Sequence, residues 1–375
     1  MWLGLDDTDS LLGGCTTLVF HQLLENIPCE HGQPRLTRLW PFADRRTRGN
    51  AALSVELYCD KSIIKWLDDY WKENILPLKG EVGYSEHSER KQYPADPGMV
   101  LLDEQPDESI YWNAVRGEIG HTDLGTQWGG NGKIGALASC AWPAWKKTYE
   151  VIAWTDEERY VADNLISQIE QLDGTFLCRD PRTNRGLISP RGNSPVLFGV
   201  RSMNYESAEQ AGHILSQDCS NITGKRIFIT NQATGDHLTG EIQLTVEGKK
   251  ITKGGHVSIN DYVICFSDSG NLNLACQWLN IGDEVLCLGM EFEGNLHLEA
   301  MKVLESKNRL RPLCKCGTRM KSMGANQGVK CPNCKSKSDI KWEYTHRNCP
   351  FPNWIQPPYD KRRHLAEDLS FKPKY

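Results

Sequence analysis

Few stretches constrain a chain as tightly as Gly4-Leu5-Asp6-Asp7-Thr8-Asp9-Ser10 followed at once by Gly13-Gly14-Cys15-Thr16-Thr17. Trp2 to Leu5 reads as a short buried strand, and from Leu18 the apolar residues Leu18, Val19, Leu23, Leu24 and Ile27 recur at helical spacing. A strand therefore ends in three carboxylates, a glycine turn follows, and a helix opens on two threonines. Strand-end carboxylates are hard oxygen ligands for Mg²⁺, an ion whose shell is commonly completed by substrate phosphates. Glycines let backbone N–H groups approach an anion, and a helix N-terminus favours negative charge there. Asp6, Asp7, Asp9 and Thr16 are thus candidate catalytic residues, with Gly13, Gly14 and Thr17 as candidate contacts to a phosphate. The plainer alternative is an acidic surface loop whose Thr16 caps the helix. No Gly-Lys-Ser/Thr follows, so an ordinary P-loop is excluded.

A second constraint lies near the other end. Cys314-Lys315-Cys316 and Cys331-Pro332-Asn333-Cys334 place two cysteine pairs on separate knuckles. Four thiolates suit one tetrahedral Zn²⁺ and leave no open coordination position, so the expected role of the metal is structural. The first pair is C-x-C rather than C-x-x-C, a tighter knuckle that still chelates. The segment Arg319 to Lys330 between the pairs is basic, and Lys361-Arg362-Arg363-His364 adds a cationic patch beyond them.

Composition narrows the setting. The 375 residues suffice for two to four domains. Hydrophobic residues make up 39% and charged residues 24%, with no apolar run of the roughly 18 residues that a membrane span needs. No charged segment precedes an apolar stretch at the N-terminus, so no signal peptide is expected. The fourteen cysteines are scattered outside the one cluster, which fits a reducing cytoplasm. A net charge of −5 argues against non-specific coating of nucleic acid, so any RNA binding must come from local basic patches.

Between these landmarks the pattern predicts α/β layers. Strands are expected over 35–40 and 53–59, a helix over 61–76 ended by Pro77, and between the strands a polar loop, 41–50, with Arg45, Arg46 and Arg48. Arg48 and Asn50 lie where that loop can fold back over a phosphate. Residues 81–105 read as a Gly- and Pro-rich loop and 112–116 as a strand. Gly129-Gly130-Asn131-Gly132 then opens a small-residue helix, making Gly130 and Asn131 further candidate nucleotide contacts. Strands over 149–154, 175–179 and 196–201 alternate with helices over 155–172 (from a Thr155 capping box) and 206–217. This βαββα run is a ferredoxin-like pattern lacking a clear last strand. From Lys225 short strands at 226–230, 241–246, 256–266, 271–277, 284–290 and 296–304, separated by Gly turns, suggest a small β-barrel of the OB type. The amides of Asn231-Gln232 at its start either read base edges or form an ordinary turn.

Taken together, the first run with Thr47-Arg48-Gly49-Asn50, Gly130-Asn131-Gly132, Thr230-Asn231-Gln232, the cysteine pairs and Arg363-His364-Leu365 resembles the archaeal tRNA 2-agmatinylcytidine synthetase family. The resemblance implies a multidomain α/β and α+β chain. Its divisions would be a kinase-like catalytic domain (1–110), a ferredoxin-like domain (111–222), an OB-fold (223–307), a zinc ribbon (308–340) and a basic tail (341–375). It implies ATP and Mg²⁺ on the aspartates, autophosphorylation of Thr16, and structural Zn²⁺ on Cys314, Cys316, Cys331 and Cys334. The implied partners are agmatine and the anticodon loop and acceptor stem of an isoleucine tRNA with a CAU anticodon, with no membrane and no obligate protein partner. Agmatine's amine would replace the carbon-2 oxygen of the wobble cytosine once a phosphoryl group has activated it. Lys133 and the shortened first knuckle depart from the family pattern. Two other readings stay open: an RNA-binding OB-fold and ribbon without catalysis, and a phosphotransferase acting on a small molecule. The intact aspartates and Thr16 count against the first, and the basic ribbon and tail against the second.

Overall fold

Alternation in Trp2-Leu3-Gly4-Leu5 decides how the first layers stack. In β1 (Trp2–Asp6), Leu3 and Leu5 face one cluster with Phe20, Leu23, Leu53 and Val55, while Trp2 faces another with Ala136, Leu137 and Cys140. A strand apolar on both faces belongs at the centre of a sheet covered by helices on either side. The computed structural model describes the chain except residues 11–12, 47–49, 81–84, 88–89, 191–192, 220, 325–326, 352 and 370–375. It divides into two compact units, Met1–His237 with Arg363–Glu367, and Leu238–Arg362 with Asp368–Tyr375. Among the described residues no helix is long and apolar enough to cross a membrane.

In the first unit β1 is followed by α1 (Thr16–Asn26), β2 (Arg35–Arg38), β3 (Ala51–Glu56), α2 (Ile63–Tyr70) and the small hairpin β4 (Ser85–His87) and β5 (Arg90–Gln92). Next come β6 (Gly98–Leu102), α3 (Ser109–Arg116), β7 (Thr126–Gly129), α4 (Gly132–Ala141) and β8 (Thr148–Trp154). The unit continues through α5 (Asp163–Ile169), β9 (Thr175–Phe176), the hairpin β10 (Arg179–Asp180) and β11 (Arg185–Gly186), β12 (Val196–Ser202), α6 (Tyr205–Ser216) and β13 (Gly224–Thr230). Among the described residues nine strands form one sheet, ordered β7-β6-β1-β3-β2-β13-β8-β12-β9. The single parallel contact, β13 with β2, joins its halves. Helix α4 lies against β1 so closely that a Cβ at Gly4 would sit 2.4 Å from the Ala136 carbonyl oxygen.

Several expectations are corrected. Residues 226–230 do not start a barrel: β13 runs antiparallel to β8 over seven residue pairs and supplies the last strand that the βαββα run lacked. Residues 112–116 lie in helix α3, because Tyr111, Ala114 and Val115 bury one face at spacing i, i+3, i+4. Thr155 caps no helix; its hydroxyl accepts the Glu157 N–H at 3.1 Å, and α5 starts only at Asp163. Strand β7 pairs antiparallel with β6, Gly129 opposite Gly98 and Thr126 opposite Leu101.

The second unit contains β14 (Ile242–Thr245), β15 (Lys249–Ile251), β16 (Val257–Ile259), β17 (Val263–Cys265), α7 (Asn271–Trp278), β18 (Glu284–Phe292) and β19 (Asn295–Glu305). Its sheet order is β14-β18-β19-β17-β16-β15. The described strands leave β14 and β15 as edges, so the sheet is not the closed barrel expected. The predicted strand at 271–277 is helix α7. Leu272, Ala275, Cys276 and Leu279 recur at helical spacing and fill the core that a further strand would have walled. Beyond it lie β20 (Lys307–Leu310), the short strands β21 (Lys321–Ser322), β22 (Val329–Lys330) and β23 (Lys337–Ser338), and β24 (Glu343–His346) paired with β20.

Candidate active site and metal centre

The end of β1 turns sharply. Asp7 has φ of 58°, a left-handed conformation that Asp and Asn tolerate better than most residues, and its N–H donates to Asp6 Oδ1 at 2.7 Å. Ser10 and Gly13 exchange backbone hydrogen bonds at 2.9 and 3.2 Å. Gly14 has φ of +83°, and a Cβ there would stand 3.2 Å from the Asp9 Cα. The glycine turn therefore folds back against the aspartates. Cys15, extended, is the N-cap residue, and α1 begins on Thr16. Thr16 is thus not the helix cap; its hydroxyl donates to Asp9 Oδ1 at 3.1 Å. Thr17 instead accepts the Trp154 indole N–H at 3.1 Å, a contact that holds α1 to β8.

Opposite stands the N-terminal turn of α4. Gly132 and Gly135 let it touch the aspartates: a Cβ on Gly135 would lie 1.9 Å from Asp6 Oδ2, and one on Gly132 2.4 Å from the Asp6 carbonyl oxygen. Asp96 accepts both the backbone N–H and the side-chain amide of Asn131 at 2.8 and 2.7 Å and pairs with Lys79 at 3.2 Å. Gly130 leaves room for that carboxylate. On the third side, Asn50 donates to the Trp40 carbonyl at 2.7 Å, and the Arg45 guanidinium lies 4.6 Å from the Tyr93 ring centre. Between these walls is a cavity of about 190 Å³, lined by Asp6, Asp7, Asp9, Arg45, Arg46, Asn50 and Asn131 and by Gly117–Ile119 after α3.

Charge is held at a cost in this cavity. Burial, reinforced by the Asp7 charge, raises the Asp6 carboxyl well above the ordinary carboxylate range. Burial pushes Asp7 up to about 7, with Arg45 opposing and Asp9 and Asp96 adding to the rise. Thr8 Oγ1 is buried with no hydrogen-bond partner among the described residues. Thr8 is absent from the cavity lining, so its hydroxyl is no part of this site, whereas the Asp6 and Asp7 carboxylates that line it are hard oxygen donors of the kind Mg²⁺ takes. Of the expected residues, Asp6, Asp7, Asp9, Asn50 and Asn131 line the cavity. Gly13, Gly14, Thr16, Thr17 and Gly130 are absent from its lining, and Arg48 lies outside the described residues. Sequence reasoning missed Asp96, hidden in a stretch read as loop, and saw Arg45 only as part of a basic run. Asp-Pro-Gly at 96–98 was the available signal for a fixed turn.

In the second unit Cys314, Cys316, Cys331 and Cys334 bring four sulfurs within 4.8 Å of one another. Neighbouring Sγ atoms stand 3.3 Å apart (Cys314 to Cys334) and 3.5 Å apart (Cys316 to Cys331). Sulfurs at about 2.3 Å from a tetrahedral Zn²⁺ are about 3.8 Å apart, so the set fits with small adjustment. The tight C-x-C knuckle is accommodated by Gly317, whose φ is +79° and whose N–H returns to the Cys314 carbonyl at 2.8 Å. Among the described residues no other three or more His, Cys, Asp or Glu side chains converge in this way.

Comparison with known proteins decides the kinship. Family models match in three places: the TiaS TCKD domain over residues 2–65, the TiaS FLD domain over 130–237 and the TiaS C-terminal zinc ribbon domain over 311–347. The isoleucine-tRNA 2-agmatinylcytidine synthetase TiaS of Methanopyrus kandleri is 30% identical over 100% of this chain and 96% of its own. That of Methanocorpusculum labreanum is 30% identical over 98% and 96%. The chain belongs to the TiaS family. A crystal structure of TiaS in complex with its isoleucine tRNA and ATP shares its fold, with a TM-score of 0.74 and 24% identity over 100% of this chain and 97% of that one.

One motif that carries the TiaS likeness, Thr230-Asn231-Gln232, is interior. Asn231 and Gln232 are fully buried, so they do not read base edges. Asn231 exchanges hydrogen bonds with the Arg38 backbone at 2.7 and 2.9 Å, and Gln232 bonds Arg201, Glu150 and His364. Nor is Lys361–His364 one surface patch. Lys361 pairs with Asp268 and Arg362 with Asp368, each at 3.2 Å. In the first unit Arg363 lies over the Phe42 ring, and the His364 carbonyl accepts the Ala233 N–H. The Arg38 charge drives the His364 pKa well below the usual histidine value and favours the neutral imidazole.

Proposed function

We propose that this chain conjugates agmatine to carbon-2 of the wobble cytidine of the CAU-anticodon isoleucine tRNA, using ATP, to give agmatidine and a tRNA that decodes AUA. The acidic cavity carries the reading: it joins Asp6, Asp7 and Asp9 to an arginine, and Asp9 orients the hydroxyl of Thr16. Kinship with the synthetases along the whole chain supplies the substrates. A cytosine C2 oxygen is a poor leaving group. Once phosphorylated it departs as phosphate when agmatine's primary amine adds to the carbon, and the proton lost by the amine balances the step. Asp6 and Asp7 would hold Mg²⁺, which when bound would neutralise phosphate charge. Arg45 would face the same phosphates, and Asn50 and Asn131 would border the nucleotide. Asp9 would accept the Thr16 proton as that hydroxyl takes the γ-phosphoryl group of ATP, the β–γ P–O bond breaking and ADP leaving.

The strands β1, β2, β3, β6 and β7 with α1 to α4 act as the kinase-like half. The β8–β13 half is ferredoxin-like, the sheet with α7 an OB-type module, and the ribbon a Zn²⁺-stabilised RNA grip. On the ribbon side Trp342 is sandwiched between Arg309 and Arg311, at 3.7 and 3.6 Å, a surface suited to nucleic acid. A tRNA-modifying role places the protein in the cytoplasm. The test is to incubate the protein with the CAU-anticodon isoleucine tRNA, ATP and agmatine and to analyse the nucleosides by mass spectrometry. Cytidine converted to its agmatine conjugate is expected. ATP consumption without conversion would favour a phosphotransferase, and RNA binding with neither would leave a binding protein.

A further inference from the structure

The cavity has an unexplained neighbour on helix α3. Its residues Trp112 and Arg116, one turn apart, are on one face, and the Arg116 guanidinium lies 4.5 Å from the Trp112 ring centre. Trp145 stands 6.2 Å from Trp112 between ring centres, with 75% of its surface exposed, the joint-largest exposure among the large apolar side chains described. The base is fixed: Trp112 and Ala144 pack on the buried cluster of Tyr111, Trp142 and Leu365, and Arg116 Nε donates to the Asp236 carbonyl at 3.1 Å. Lys146 and Lys147 follow Trp145 directly and are exposed; Lys146 pairs with Glu367 at 2.9 Å, and Lys147 adds positive charge to the edge of the aromatic surface. Immediately after Arg116, Gly117–Ile119 line the acidic cavity.

We propose that Trp145 and Trp112, with Arg116 and Lys147, form a ledge on which an unpaired RNA base stacks beside the cavity. An exposed indole is costly in water and gains by covering with a flat π surface, and the flanking cations match the phosphates that accompany every base. A base to be modified must leave its stack, and its displaced neighbours lose stacking partners that such a ledge replaces. The ledge rests on the tRNA-modifying reading and deepens it, by assigning contacts to the anticodon loop.

The experiment uses the full chain with Trp145→Ala and Trp145→Phe, and measures binding of the anticodon stem-loop of the substrate tRNA and of a blunt RNA duplex. Trp145→Ala should weaken stem-loop binding roughly tenfold or more, leave duplex binding unchanged, and raise KM for tRNA while sparing kcat. Trp145→Phe should recover most of the loss. Equal stem-loop affinity in all three proteins overturns the ledge. So does a change of oligomeric state in Trp145→Ala with unaltered RNA affinity, which would make the surface a contact between copies. If the parent makes no agmatidine but Trp145→Ala still loses the stem-loop selectively, the reaction is refuted and the ledge survives.

Discussion

Asp7 shows how a single side chain can be unstable for the sake of its site. Its carboxyl ionises near 3.8 in the ordinary case and at about 7 in the fold. Between these values the folded chain holds a proton that the unfolded chain has released, so stability falls as pH rises, and above about 7 the whole cost is present. Each pKa unit corresponds to about 1.4 kcal/mol, so the cost is at most a few kcal/mol. Asn keeps the left-handed backbone and removes the charge. Asp7→Asn should therefore melt above the parent at pH 8 without Mg²⁺, with the gain gone near pH 4, while ATP turnover falls by orders of magnitude. A pH-independent melting difference, or parental turnover, would refute this account. Thr16 is a sharper case, since it is not the N-cap residue. Thr16→Val removes a hydrogen bond worth about 1 kcal/mol together with the candidate phosphoryl acceptor. It should fold, fail to take label from γ-labelled ATP and form little agmatidine, whereas Thr16→Ser stays active. Full product from Thr16→Val would leave the aspartates as the only chemical groups.

Among elements, α4 is the one whose composition is set by its neighbours. Its small residues let it lie on β1, and Ser139 bonds Thr37 and Ser54 hydroxyls at 2.9 and 3.0 Å. Glycine inside a helix normally costs about 1 kcal/mol relative to alanine. Gly135→Ala should reverse that sign, because the new methyl would meet Asp6 Oδ2 at 1.9 Å. A lower melting temperature and reduced ATP turnover are expected; a more stable, fully active variant would show that α4 need not touch the carboxylate. Helices α3 and α7 teach a different lesson. Each is eight residues long, and in so short a run helical and strand periodicity share most of their apolar positions. Burial at spacing i, i+3, i+4, of Tyr111, Ala114 and Val115 in α3 and of Leu272, Ala275 and Cys276 in α7, marks them as helices.

On the scale of the molecule, the acidic cavity draws its walls from the first unit and the thiolate site is built from the second. Cys331→Ser, or chelation, should release Zn²⁺ as read by metal analysis and weaken tRNA binding, with ATP binding intact. A metal-free protein of parental tRNA affinity would remove the ribbon from RNA recognition. The sequence by itself determined those features whose chemistry is local. A carboxylate run closing a strand, glycines before a helix and cysteines on paired knuckles act through neighbours a few positions away, and all are found where expected. Tertiary structure alone decided what depends on distant partners. It assigned β13 to the first sheet because β8 and β2 offered unpaired edges, whereas a strand's own residues do not name its partner. It buried Asn231 and Gln232, although their polarity suggested a surface, and set the exposed His364 against Gln232 Oε1. It also brought Asp96 and Arg45 beside Asp7, some ninety and forty residues away along the chain, because electrostatic fields act through space and sequence spacing does not record it.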